Sequence, residues 1–190
     1  MGRLVGMGHT VIQVPVPALE SVAARLEVAP VCPHITVLGP FVDRSDVDET
    51  LIGTIRKLLA PVRAFDYELS SVRRFGGGLT YLVPDPAAPF IRLTEILAAA
   101  FPQWPPYGGM FDEVVPHLSI GEAIPETDVA ILGELLPISA TANEVTLAWW
   151  SEDIVDVLES YPLRPGVPTG VPRRRSPTPV RVDRQRRHPC

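Results

Sequence analysis

Lysine is nearly missing from this chain of 190 residues: Lys57 stands alone among 17 basic side chains, the others being Arg. Cysteine is almost as scarce, with only Cys32 and Cys190. Two cysteines outside Cys-x-x-Cys spacing make neither a disulfide framework nor a zinc site. No apolar run approaches the roughly 18 residues that a membrane-spanning helix requires. The first residues also lack the basic region, long apolar stretch and small-residue cleavage site of a secretory signal. The expected address is the cytoplasm, with no membrane partner. Negative charge outweighs positive over most of the chain as well. Residues 164–190 carry eight Arg against Asp183, a net of +7, and since the whole chain is −5 the remainder carries −12. A duplex-DNA reader needs its positive patch on the folded surface, so that class is excluded.

What is present is ordinary for a globular protein: 46% hydrophobic and 21% charged residues, enough for one domain or two closely packed lobes. Residues 9–16 read as a strand and 18–28 as a helix. A strand at 33–39 precedes a second helix over 43–59, capped by Asp43 or Ser45 and stopped by Pro61. Residues 63–74 and 79–83 form a hairpin across Gly76-Gly77-Gly78. No Gly-Lys-Ser/Thr follows these glycines, so they are a turn rather than a phosphate cradle. A third helix starts between Pro86 and Pro89 and runs to Ala100. A Pro- and Gly-rich loop with Trp104, Tyr107 and Phe111 fills 101–115. Beyond it come a strand at 116–121, a helix over 126–136, and strands at 140–150 and 154–162. The folded part is expected to span 1–162, and the Pro/Arg-rich stretch 163–190 to be disordered.

Two short runs echo each other: Pro33-His34-Ile35-Thr36-Val37-Leu38-Gly39-Pro40-Phe41 and Pro116-His117-Leu118-Ser119-Ile120-Gly121. Each opens on Pro and sets a hydroxyl residue two places after a His. In a strand, positions i and i+2 share a face, so His34 points with Thr36 and His117 with Ser119. One His-x-Thr/Ser match is expected about half the time by chance at typical composition. Two matches among four histidines, in the same apolar context, carry more weight. Should the strands lie side by side, two imidazoles and two hydroxyls converge.

That set suits phosphodiester chemistry. Opening a cyclic phosphodiester needs one group to take a proton from water and another to give one to the departing ribose oxygen. Imidazoles, with an unperturbed pKa of about 6.5, do both near neutral pH. Hydroxyls donate to the non-bridging oxygens as these gain charge. Histidines satisfied in the core, or histidines ligating a metal, are the competing readings, the latter lacking a carboxylate or Cys in either motif. Cys32 beside His34 is a weaker nucleophile candidate, since Pro33 intervenes.

The paired runs resemble the signatures of the 2H phosphoesterase superfamily, in its 2′-5′ RNA ligase-like and cyclic phosphodiesterase branch. Pro105-Pro106-Tyr107-Gly108-Gly109-x-Phe111 resembles a segment of bacterial members. The resemblance implies a bilobal α+β fold of two antiparallel sheets with helices outside, the motifs facing across a pseudo-twofold central cleft. It further implies metal-independent hydrolysis of 2′,3′-cyclic phosphates or 2′-5′ linkages of RNA ends or nucleotides, without a cofactor. ATP-independent ligation and nucleotide binding without turnover are the alternatives. Carried over by position, His34 and His117 are the acid/base pair, and Thr36 and Ser119 hold phosphate oxygens. Phe41, Tyr107 and Phe111 are candidates for stacking on a base, and Arg74 for meeting phosphate. The acidic body favours a nucleotide, a short oligonucleotide or an RNA end as substrate, and the protein is expected to be a monomer.

Overall fold

The computed structural model describes residues 8–28, 30, 32–111, 113–151 and 155–166. Its strands are β1 (His9–Pro15), β2 (His34–Leu38), β3 (Phe65–Arg74), β4 (Leu79–Asp85), β5 (Leu118–Glu122), β6 (Ile138–Ala142), β7 (Glu144–Trp150) and β8 (Val155–Pro162). Its helices are α1 (Glu20–Ala23), α2 (Glu49–Leu59), α3 (Ala88–Ala100) and α4 (Glu126–Leu135).

Local chemistry sets most of the boundaries. The Asp48 carboxylate accepts the Leu51 N–H at 2.7 Å and caps α2. Asp43 caps only a 3-10 turn at Arg44–Asp46 through Ser45, so the helix expected from residue 43 starts later. Arg56 and Lys57 occupy the last turn of α2, where they complement its dipole. The helix expected over 18–28 is cut to four residues. Just past it the backbone N–H groups of Glu27 and Val28 donate to the buried Asp128 carboxylate of α4, at 3.0 and 2.9 Å, instead of to helical carbonyls. The stretch read as one strand over 140–150 is two, parted at Asn143.

The strands run in the order β6-β3-β4-β5-β2-β1-β7-β8, antiparallel throughout. The two sheets read from the sequence are thus the halves β6-β3-β4-β5 and β2-β1-β7-β8 of a single sheet, joined where Ile35 of β2 pairs with Leu118 of β5. β6 lies at one edge of that sheet and β7 next to the other, yet Asn143 alone separates them in sequence. Two residues of extended chain span at most about 7 Å, so the sheet has to curl until its ends approach.

The apolar face of the curled sheet packs against the helices. Ile55 and Leu59 of α2, Phe90, Leu93 and Leu97 of α3, and Leu132 of α4 join Ile35, Leu69, Leu82 and Leu118 in one buried cluster. Thr94 pins α3 to β2, its hydroxyl donating to the Val37 carbonyl at 2.8 Å. Residues 163–166 depart from the expectation of disorder. Leu163 is buried in the core, its N–H donates to the Asn143 carbonyl at 2.8 Å, and the Arg164 carbonyl accepts from Ala64 N–H at 2.7 Å. The remainder of the stretch expected to be disordered, 167–190, lies outside the described residues. Among the described residues no helix is long and apolar enough to cross a membrane.

Candidate functional site

The Ile35–Leu118 pairing positions everything around it. Both side chains are fully buried, so on each strand the flanking residues take the opposite face. His34 and Thr36 of β2, Ser119 of β5 and His117 just before β5 therefore share the face turned away from the helices, gathered about one point of the sheet.

The two imidazoles are held alike. His34 Nδ1 lies 2.9 Å from the Cys32 carbonyl oxygen and His117 Nδ1 lies 2.7 Å from that of Val115, each two residues back. A carbonyl oxygen only accepts, so Nδ1 carries the proton in both rings and Nε2 is the atom left to exchange one. Burial holds both pKa values below the ordinary imidazole value. The carbonyl contacts oppose that shift, and the charge of His117 adds to it at His34.

Their flanks differ. His34 packs on Trp150 with ring centroids 4.7 Å apart, and Trp150 Nε1 donates to Gln13 Oε1 at 2.9 Å. Gln13 pairs with Thr36 on one side and Thr146 on the other, so a polar row crosses the floor there. The Thr146 hydroxyl is buried with no hydrogen-bond partner. His117 sits among rings: Phe75 edge-on at 5.0 Å, Tyr81 edge-on at 5.5 Å and Tyr107 nearly parallel at 6.0 Å. Phe75 and Tyr81 stack on each other at 4.0 Å. A hollow of about 550 Å³ opens beside His117. A larger one, about 780 Å³, lies by Arg63 and Arg92 and touches neither motif.

The other sequence candidates fall in different places. Tyr107 is tied to the end of the first motif, its N–H donating to the Gly39 carbonyl at 2.7 Å. Its φ of +53° is in the left-handed region that costs a non-Gly residue about 1–2 kcal/mol. Phe111 lines the hollow and is exposed. Phe41, proposed for stacking, is instead a core residue, packed edge-on against Phe101 and Trp104 at 5.1 and 5.2 Å. Arg74, proposed for phosphate, lies on the helix-covered face. Its Nε donates to Thr80 Oγ1 at 3.2 Å and its guanidinium is 3.9 Å from Glu126 of α4. Sequence reasoning missed Gln13, Phe75, Tyr81 and Trp150. Adjacent tryptophans closing a strand, and aromatic residues on both sides of the glycine turn, were the signals available.

By sequence, the chain matches the 2′-5′ RNA ligase superfamily over residues 13–154, a span containing both His motifs. No match to a curated protein was found by sequence. Among solved structures it is similar to TT0787 of Thermus thermophilus, with a TM-score of 0.62 and 16% identity over 85% of this chain and 100% of that one. It is also similar to E. coli LigT, solved with 3′-AMP, with a TM-score of 0.55 and 16% identity over 83% of this chain and 98% of the other. At such identity these likenesses speak for the fold, while the sequence match speaks for descent. With most of its length matched and both motifs inside the match, the chain belongs to the 2′-5′ RNA ligase superfamily, a group of 2H phosphoesterases.

Proposed function

We propose that the protein is a metal-independent phosphoesterase that hydrolyses a 2′,3′-cyclic phosphate or a 2′-5′ phosphodiester of a nucleotide or short RNA end. His34 and His117 act as the acid/base pair, and Thr36 and Ser119 as donors to the phosphate oxygens. The observation that carries this reading is the pair of imidazoles held alike by i−2 carbonyls on one sheet face, each leaving Nε2 to exchange a proton.

In the step itself, one Nε2 accepts a proton from water as the water oxygen bonds to phosphorus. The opposite Nε2–H donates to the ribose oxygen as its bond to phosphorus breaks, leaving a phosphomonoester. The hydroxyls of Thr36 and Ser119 stabilise the charge that builds on the non-bridging oxygens. LigT was solved in complex with 3′-AMP, a nucleoside monophosphate of the kind such an opening yields. The acidic charge of the chain outside 164–190 favours a short substrate over long RNA.

The test is turnover of 2′,3′-cyclic mononucleotides and 2′-5′ dinucleotides with a chelator present, followed by product analysis with RNA ends to detect ligation. His34→Ala and His117→Ala are each expected to lose at least about 10²-fold in kcat with the fold intact by circular dichroism. Full turnover by either variant, or tight nucleotide binding without turnover by the unaltered protein, overturns the reading.

A further inference from the structure

The hollow beside His117 has a composition that the acid/base chemistry does not require. Phe75 and Leu79 bound it from the β3–β4 turn, and Tyr107, Phe111 and Val115 from the connection before β5. These are flat, apolar walls of the kind on which a base stacks. Its volume, about 550 Å³, is that of a small-molecule site. Two carboxylates, Glu113 and Glu122, stand on its lining, and no Lys or Arg does. Both are exposed, and neither side chain has a hydrogen bond or ion pair among the described residues. A chamber for a phosphate or a continuing RNA strand would carry the opposite sign. This one repels an anion and rewards a group that donates hydrogen bonds.

We infer that the chamber is the subsite for the substrate's base, and that Glu113 and Glu122 make it selective for bases presenting N–H donors, guanine most and uracil least. The inference rests on the phosphoesterase reading and names the substrate for it. Guanine offers N1–H and an N2 amino hydrogen side by side, matching the two oxygens of one carboxylate. Adenine and cytosine offer an amino group alone. Uracil presents a single N–H between two carbonyl oxygens, both of which a carboxylate repels.

The test is equilibrium binding of the four nucleoside 3′-monophosphates to the full chain by calorimetry, with turnover of the matching 2′,3′-cyclic nucleotides measured in parallel. Guanosine 3′-monophosphate is expected to bind at least about ten-fold more tightly than the uridine compound. That ratio should fall toward one in Glu113→Gln or Glu122→Gln, and most in the double variant. Phe75→Ala should weaken all four, leaving the ratio standing. Equal affinities, a preference unchanged in the double Gln variant, or no measurable binding of any nucleotide overturns the subsite. Binding selectivity without turnover sinks the hydrolase reading and leaves the subsite in place. Turnover with equal affinities does the reverse.

Discussion

His34 and His117 are buried enough that burial is the first cause holding both pKa values low. An unfolded imidazole takes up its proton near pH 6.5. Between each depressed folded value and pH 6.5 the unfolded chain therefore binds more protons, and stability rises with pH through that window. Above it the contribution is constant; below both values no further change comes from these groups. His34→Asn and His117→Asn together should flatten the fall in Tm between pH 7.5 and pH 5 relative to the unaltered protein, and parallel curves would refute this. The hydroxyls call for a different readout. Thr36→Val and Ser119→Ala should each lower kcat about 10- to 100-fold while shifting the pH profile little, because the role proposed for them is to meet charge rather than to move a proton. That the four motif side chains share a face was legible in the sequence because a two-residue period needs no tertiary knowledge. Phe41 was not, since it lies past the end of β2, where periodicity stops. There its N–H donates to the Thr10 carbonyl, and that contact and its ring packing decide where it goes.

Among the elements, β3 shows why Arg74 was misjudged. Tyr67 and Leu69 face the core, and simple alternation would turn Arg74 toward the open face. Between Leu69 and Ser71 the register with β4 shifts by one residue, which reverses the alternation. Val72 then joins the core and Arg74 reaches Thr80 and Glu126. A bulge leaves no mark in composition. The link between α4 and the segment after α1 was illegible for a similar reason: Asp128 and its partners Glu27 and Val28 are 101 and 100 residues apart in sequence. Removing that carboxylate leaves two backbone donors without it. Asp128→Ala should cost about 1–3 kcal/mol in urea unfolding. A loss within experimental error would show that water replaces the carboxylate.

Across the whole molecule, two halves of a sheet share one apolar cluster through β2 and β5. Leu118→Ala opens a hole at that seam and should cost about 2–5 kcal/mol. Because the cluster is continuous, fluorescence from Trp104, Trp149 and Trp150 and far-UV circular dichroism from the whole should report a single transition, before and after the substitution. Separate midpoints would mean that the halves unfold independently. The run of most elements followed from periodicity and turn residues, and the α+β class from the family resemblance. The joining of the halves did not, because it rests on one inter-strand pairing and on Asn143 forcing the curl.

Gly76 and Gly77, in the turn that walls the space beside His117, have no atom within 4 Å of where a β-carbon would stand. Only Gly78, at φ +95°, is bound to its identity by backbone conformation. Part of the chamber's boundary is thus drawn by two positions that packing leaves unconstrained, while His34 and His117 each stand next to a fully buried strand residue, Ile35 and Leu118. Side chains introduced at 76 or 77 can narrow or reshape the entrance at little expense to folding. On the proposed function, the outline of the chamber can vary at these two glycines while both imidazoles keep their carbonyl partners.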